Sequence, residues 1–199
     1  MVNRTSHKAR KRKDLSRFVL LCGIVVALNI IGFYFFKRFD LTSEKRYTLS
    51  SSTIAMLKNL DDEVYLKIYL QGDFNPSFTR LRNEAREILG EFRAYAKDNI
   101  QYEFINPAEG LSKAQASELE RQLYDKGLIP EQIIQKGKEK TTETIIWPGA
   151  IVSFKGKETV WQIFKRQIGI PPEECVNNSV QELEYGLANA IRKLQQNKS

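Results

Sequence analysis

From Phe18 to Phe36 the chain runs nineteen positions without a charged residue, bounded by Arg17 and Lys37. At ~1.5 Å per residue such a run reaches roughly 28 Å, close to the ~30 Å hydrocarbon core of a bilayer. Asn29 is its only strongly polar side chain, and Phe33, Tyr34, Phe35, Phe36 and Phe39 crowd one end as an interfacial aromatic belt would. The pattern predicts a single transmembrane helix rather than a buried helix of a soluble core, because a soluble helix seldom runs this long without a polar face. Phe-Tyr-Phe-Phe-Lys-Arg offers no small-residue cleavage site, so an uncleaved signal anchor is expected.

Beyond this run the periodicity changes. Ser50 reads as an N-cap, with a short helix to about Asn59. Val64, Leu66, Ile68 and Leu70 alternate with polar or aromatic residues as a strand does, and Gln71-Gly72-Asp73-Phe74-Asn75-Pro76 breaks the pattern as a loop. Phe78, Leu81, Ala85, Ile88, Leu89, Phe92 and Tyr95 then recur at helical spacing. Ile100, Tyr102 and Phe104 predict a second strand, and a further helix starts near Ser112 and stops at Gly127. Residues 128–142 read as irregular, with at most one helical turn around Gln132 to Gln135. Glu143 to Phe154 is a broken extended segment, Lys155-Gly156-Lys157 supplies a hairpin turn, and Glu158 to Phe164 returns as an antiparallel strand. Ser179 and Glu182 have the spacing of a capping box for a last helix. The expected organisation is a basic arm (1–17), a transmembrane anchor (18–36), a membrane-proximal linker (37–49) and one α/β domain (50–199).

Charge sharpens this picture. The chain carries a net +7, but Arg4, Lys8, Arg10, Lys11, Arg12, Lys13 and Arg17 stand against only Asp14 in the first seventeen residues, so +6 of it belongs to the arm. The rest is nearly neutral, which argues against nucleic acid as a partner. By the positive-inside rule the arm is expected in the cytoplasm and the domain in the periplasm, as a single-pass protein of the inner membrane.

Candidate chemistry is sparse. The cysteines, Cys22 and Cys175, fall in different parts of the chain and form no disulfide framework, and the one histidine, His7, lies in the arm. The domain therefore lacks the usual general base and the usual zinc ligand, and its scattered glycines make no phosphate-binding loop. No catalytic residue, cofactor site or metal site is expected.

Leaving out the short leading helix, the order is β-α-β-α-β-β-α, and Trp147-Pro148-Gly149 precedes the hairpin strand Ala150 to Phe154. Together these resemble a thioredoxin-like domain, in which a cis-proline precedes that strand. In such a fold the redox cysteines would lie where this chain has Gly72 to Ser77, and no cysteine is there, so thiol–disulfide exchange is excluded. By that analogy the candidate partner- or ligand-binding edge is Asp73, Phe74 and Asn75, facing Trp147 and Pro148.

Phe39-Asp40-Leu41-Thr42-Ser43-Glu44-Lys45-Arg46-Tyr47-Thr48-Leu49-Ser50, with Val64 to Leu70, Asn106-Pro107 and Trp147 to Ala150, resembles the gliding-motility-associated ABC transporter auxiliary proteins of Bacteroidetes. The resemblance implies a non-enzymatic, substrate-binding-like subunit working with a separate ABC permease and ATPase. Members of that family continue into a second domain and a C-terminal transmembrane helix, so the resemblance covers their N-terminal portion and implies either a fragment of such a protein or a short paralogue. The alternative is a structural scaffold among envelope motility or secretion proteins, with no transport ligand.

Overall fold

The computed structural model of the chain describes residues 15, 17–29, 48–107, 109–136 and 141–196. The chain divides into two units, Met1–Lys45 and Arg46–Ser199. In the first, residues 17–29 are helical, and Asn29 turns its Nδ2 back to donate to the Val25 carbonyl at 3.0 Å. Among the described residues no helix is long and apolar enough to cross a membrane. The expected transmembrane anchor at 18–36 is corrected accordingly, and with it the single-pass inner-membrane placement that depended on it. Residues 30–36, the basic arm up to residue 14 and most of the linker lie outside the described residues.

The second unit is a mixed α/β domain. Ser50 accepts the Thr53 N–H through its Oγ and opens helix α1 (Ser51–Lys58), which buries Leu57. Strand β1 (Val64–Ile68) turns Val64, Leu66 and Ile68 into the core and Lys67 outward. Helix α2 (Pro76–Tyr95) follows, with Pro76 at its first position and Asn75 as its N-cap. Its buried stripe runs from Phe78 through Leu81, Ala85, Ile88 and Leu89 to Phe92. After β2 (Ile100–Phe104), Ser112 and Gln115 form a capping box that starts α3 (Lys113–Asp125), and Gly127, at φ +96°, turns the chain out of that helix.

A strand, β3 (Glu131–Lys136), then occupies the stretch expected to be irregular, and the next, β4 (Thr141–Ile146), falls mostly where the chain was expected to be extended from Glu143. The two pair antiparallel as a separate two-stranded sheet. Adjacent Ile133 and Ile134 blur the alternation in sequence, yet Ile133 is buried and Ile134 exposed, as strand period requires. Strands β5 (Gly149–Phe154) and β6 (Lys157–Gln162) form the expected hairpin, with Lys155 and Gly156 both at positive φ in its tight turn. Two helices close the domain, α4 (Pro172–Gln181) and α5 (Leu183–Gln196).

The expected capping box at Ser179 is corrected: Ser179 lies inside α4, almost fully buried, and its Oγ accepts the Lys165 N–H at 3.1 Å. Pro172 at the first turn, followed by Glu173 and Glu174 at the positive end of the helix dipole, starts α4 instead. The element order after α1 is therefore β-α-β-α-β-β-β-β-α-α, which corrects the β-α-β-α-β-β-α order expected of a thioredoxin-like domain. No peptide bond among the described residues is cis, so Pro148 is trans.

The main sheet has the order β2-β1-β5-β6, with β1 parallel to β2 and antiparallel to β5. One face of it carries Val64, Leu66, Ile68, Ala150 and Val152 into a continuous core with the buried stripes of α2 and α5. On the opposite side Ile151 meets Tyr69, Leu123, Leu128 and Trp147 in a second, smaller cluster. The sheet is thus covered on both faces, and burial pushes the Tyr69 phenol above its ordinary pKa.

Candidate functional site

The connection from β1 to α2 crosses the end of the strand through Gly72, at φ +147°. L side chains rarely adopt that φ, which is why glycine stands there; the Phe74 ring lies in ordinary contact distance, 3.4 Å from where a Cβ would sit. The guanidinium of Arg82 secures the same loop: Nη1 donates to the Gly72 carbonyl at 3.0 Å, and the group lies 5.8 Å from the Phe74 ring centre. Asn75 spends its side-chain oxygen on the Phe78 N–H, at 3.1 Å, and Thr79 Oγ1 donates to the Phe74 carbonyl at 3.3 Å. The loop is a built turn held on three sides.

This turn is one wall of a groove of about 810 Å³. Asp73, Phe74 and Asn75 line that wall, together with the first turn of α2. The facing wall is β3, from Glu131 to Ile134, and the end of the groove is closed by Arg166 and the start of α4 at Pro171 to Glu173. Arg166 Nη2 donates to Glu131 Oε1 across the corner. The Glu131 side chain retains only 11% of its exposure while Arg166 retains 47%, so the carboxylate is the buried partner of the pair. That hydrogen bond raises the Arg166 pKa further above its already high ordinary value.

Three of the five residues expected at the binding edge therefore come together. Trp147 and Pro148 do not join them. Trp147 is 4% exposed in the smaller core cluster, and Pro148 is buried, its carbonyl accepting the N–H groups of Ile163 and Phe164 at 3.0 Å each. Their place opposite the loop is taken by β3. Glu131 and Arg166 were not legible as site residues, because two isolated charges 35 positions apart carry no local signal.

The lining side chains include no histidine, cysteine or lysine. Among the described residues no three histidine, cysteine or acidic side chains stand together as metal ligands. Cys175 is a free thiol fully buried beneath the 167–170 turn, its Sγ 3.4 Å from the Gln167 nitrogen.

The model of a domain of unknown function, DUF7088, matches residues 43–153. The chain belongs to this family. The DUF7088 match takes in the loop wall and the β3 wall of the groove and ends before Arg166. No curated protein and no solved structure matches the chain.

The Glu131–Arg166 pair ties the β3–β4 hairpin of the DUF7088 domain to the segment leading into α4, beyond the matched residues. Arg166→Ala leaves the Glu131 carboxylate largely buried without its partner, and we expect a loss of about 1–3 kcal/mol in urea unfolding. Glu131→Gln, which leaves no buried charge behind, should cost less. An equal cost for both would show that the buried carboxylate carries no penalty of its own.

Proposed function

We propose that the chain is a non-enzymatic, substrate-binding-like auxiliary subunit of an ABC transporter associated with gliding motility, and that it engages its partners through the groove at Asp73, Phe74 and Asn75. The resemblance of 39–50 and of the Trp147-Pro148-Gly149-Ala150 stretch to such auxiliary proteins supports the transporter context. The observation that carries the binding role is the groove itself. It combines an aromatic side chain, carboxylates and one guanidinium on elements fixed by caps and ion pairs, as a recognition surface requires. Its lining offers contact and charge, and no side chain that titrates near neutral pH in its ordinary state.

A pull-down of the tagged full chain from detergent-solubilised cells, with partners identified by mass spectrometry, tests this. An ABC permease and an ATPase are expected in the eluate, and charge reversal at Asp73 should deplete them. Recovery of envelope motility or secretion proteins without either would favour the scaffold reading. A chain that elutes alone under the same mild conditions would overturn both.

A further inference from the structure

Strands β1 and β2 are parallel, with Ile68 opposite Phe104, so their carboxyl ends lie side by side. From β1 the chain leaves over one face of the sheet through α2. From β2 it returns through α3, on the other face, to reach β5 on the far side of β1. In an open α/β sheet the place where such connections part, outside the carboxyl ends of the strands, is where small ligands bind. Two segments leave the sheet there, 69–75 and 105–107, and they meet: a Cβ at Gly72 would stand 3.9 Å from Asn106 Cγ.

Helix α2 brings two guanidinium groups to these strand ends. Arg82 and Arg86 are four positions apart, on one face of the helix. Arg82 reaches the Gly72 carbonyl and the Phe74 ring after β1, and Arg86 lies 4.6 Å from the centre of the Phe104 ring, at the last residue of β2. Arg80, Arg93, Arg121 and Arg166 each have a carboxylate partner; among the described residues Arg82 and Arg86 have none. A guanidinium stacked on a ring keeps its N–H edge free for an acceptor, and the stacking fixes where that edge points. The Arg82 Nε is also shut away from water with no hydrogen-bond partner, so the group carries a desolvation cost that a negative charge beside it offsets. From this we propose that Arg82 and Arg86 together hold an oxyanion, the phosphate or carboxylate group of a small molecule, outside the carboxyl ends of β1 and β2. Arg86 offers its fork of donors, while Arg82 commits one nitrogen to Gly72 and adds its charge. Neither arginine lines the groove, so this site is separate from the partner surface proposed above.

Inorganic phosphate and acetate are the two probes, each titrated into the nitrogen-15-labelled full chain at constant ionic strength made up with chloride. The side-chain Nε–Hε signals of Arg82 and Arg86, assigned with Arg82→Lys and Arg86→Lys, should shift to saturation with at least one of them. A response to phosphate alone identifies a phosphate group, to acetate alone a carboxylate group, and to both in competition a site that takes either. Arg86→Gln, which leaves the Arg82–Gly72 bond in place, should weaken the saturating anion about fivefold or more, and Arg86→Lys, which keeps the charge without the fork, should fall between. Backbone amide signals of 72–75 should stay as in the parent in both variants, which keeps a loss of binding distinct from a loss of fold. No shift with either anion, shifts that follow ionic strength alone, saturation confined to other arginines, or an affinity unchanged in Arg86→Gln would overturn the site.

Discussion

Replacing Trp147 with alanine is expected to destabilise the domain by about 3–5 kcal/mol, the range for truncating a buried tryptophan. The indole is 4% exposed and packs with Tyr69, Leu123, Leu128 and Ile151, the cluster that joins α3 and the start of β5 to the second face of the sheet. Alanine would leave a cavity between elements distant in sequence, and such a site has little means to collapse. Trp147→Phe should behave differently. The indole Nε1 is buried without a hydrogen-bond partner, so the native residue already bears the cost of a desolvated donor. Phenylalanine removes that donor while keeping much of the ring, and the two effects oppose each other. Urea unfolding of Trp147→Phe should lie within about 1–2 kcal/mol of the parent. Partner recovery in the pull-down should be unchanged in the phenylalanine variant. A Trp147→Ala cost under about 1 kcal/mol, or a binding defect in stable Trp147→Phe, would place the residue at a surface rather than in the core.

The same residue shows what the sequence could and could not disclose. Trp147 precedes a proline and a strand, and an aromatic there has equal reason to anchor a partner or to fill a core. Only the position of α3 over the sheet decides between them, and α3 reveals little of its inward face, with Leu123 as its one fully covered residue. Elements with a clean period were legible. The alternation of Val64 to Ile68 and the stripe from Phe78 to Phe92 survive as β1 and α2 because burial on one face dictates them. The Lys155-Gly156 turn was legible because Gly156 readily takes the positive φ that a tight hairpin turn needs, while the positive φ at Lys155 carried no signal of its own. Strand β3 and its pairing with β4 were not, since the adjacent Ile133 and Ile134 carry no alternation of their own, although the extended run from Glu143 was legible. Ser179 and Glu182 mimic a capping box by spacing alone, while the hydroxyl is in fact engaged by Lys165. At the groove, Asp73, Phe74 and Asn75 could be named in advance by analogy to a thioredoxin-like fold whose element order the chain does not keep, and they line the groove because the loop after β1 crosses its end. Glu131 and Arg166 could not, since their meeting depends on how the hairpin and the approach to α4 pack together. The apolar run from Phe18 invited a membrane span on hydropathy alone, and among the described residues no helix is long and apolar enough to make one.

Phe78→Ala is expected to cost about 3–5 kcal/mol as well, and here the loss should reach the groove. Phe78 sits in the first turn of α2, 2% exposed, and its backbone N–H is the donor that Asn75 captures. Its ring meets Phe164 with centroids 5.0 Å apart and planes tilted by 57°, while its residue also lines the groove floor. The side chain therefore links three things: the cap that fixes the loop, the core, and the segment that carries Arg166. A tilted aromatic pair contributes roughly 0.5–1.5 kcal/mol beyond its buried area, so a double-mutant cycle of Phe78→Leu and Phe164→Leu should return a coupling of that size. Leucine is the better probe of the groove, because it keeps most of the buried volume and lets the domain fold. In Phe78→Leu the main-chain cap at Asn75 is untouched, so the loop should keep its turn while partners recovered in the pull-down are held less tightly. A coupling near zero would mean that the two rings share the core without cooperating, and the loop wall and the Arg166 corner would then have to be treated as independent sides of the groove.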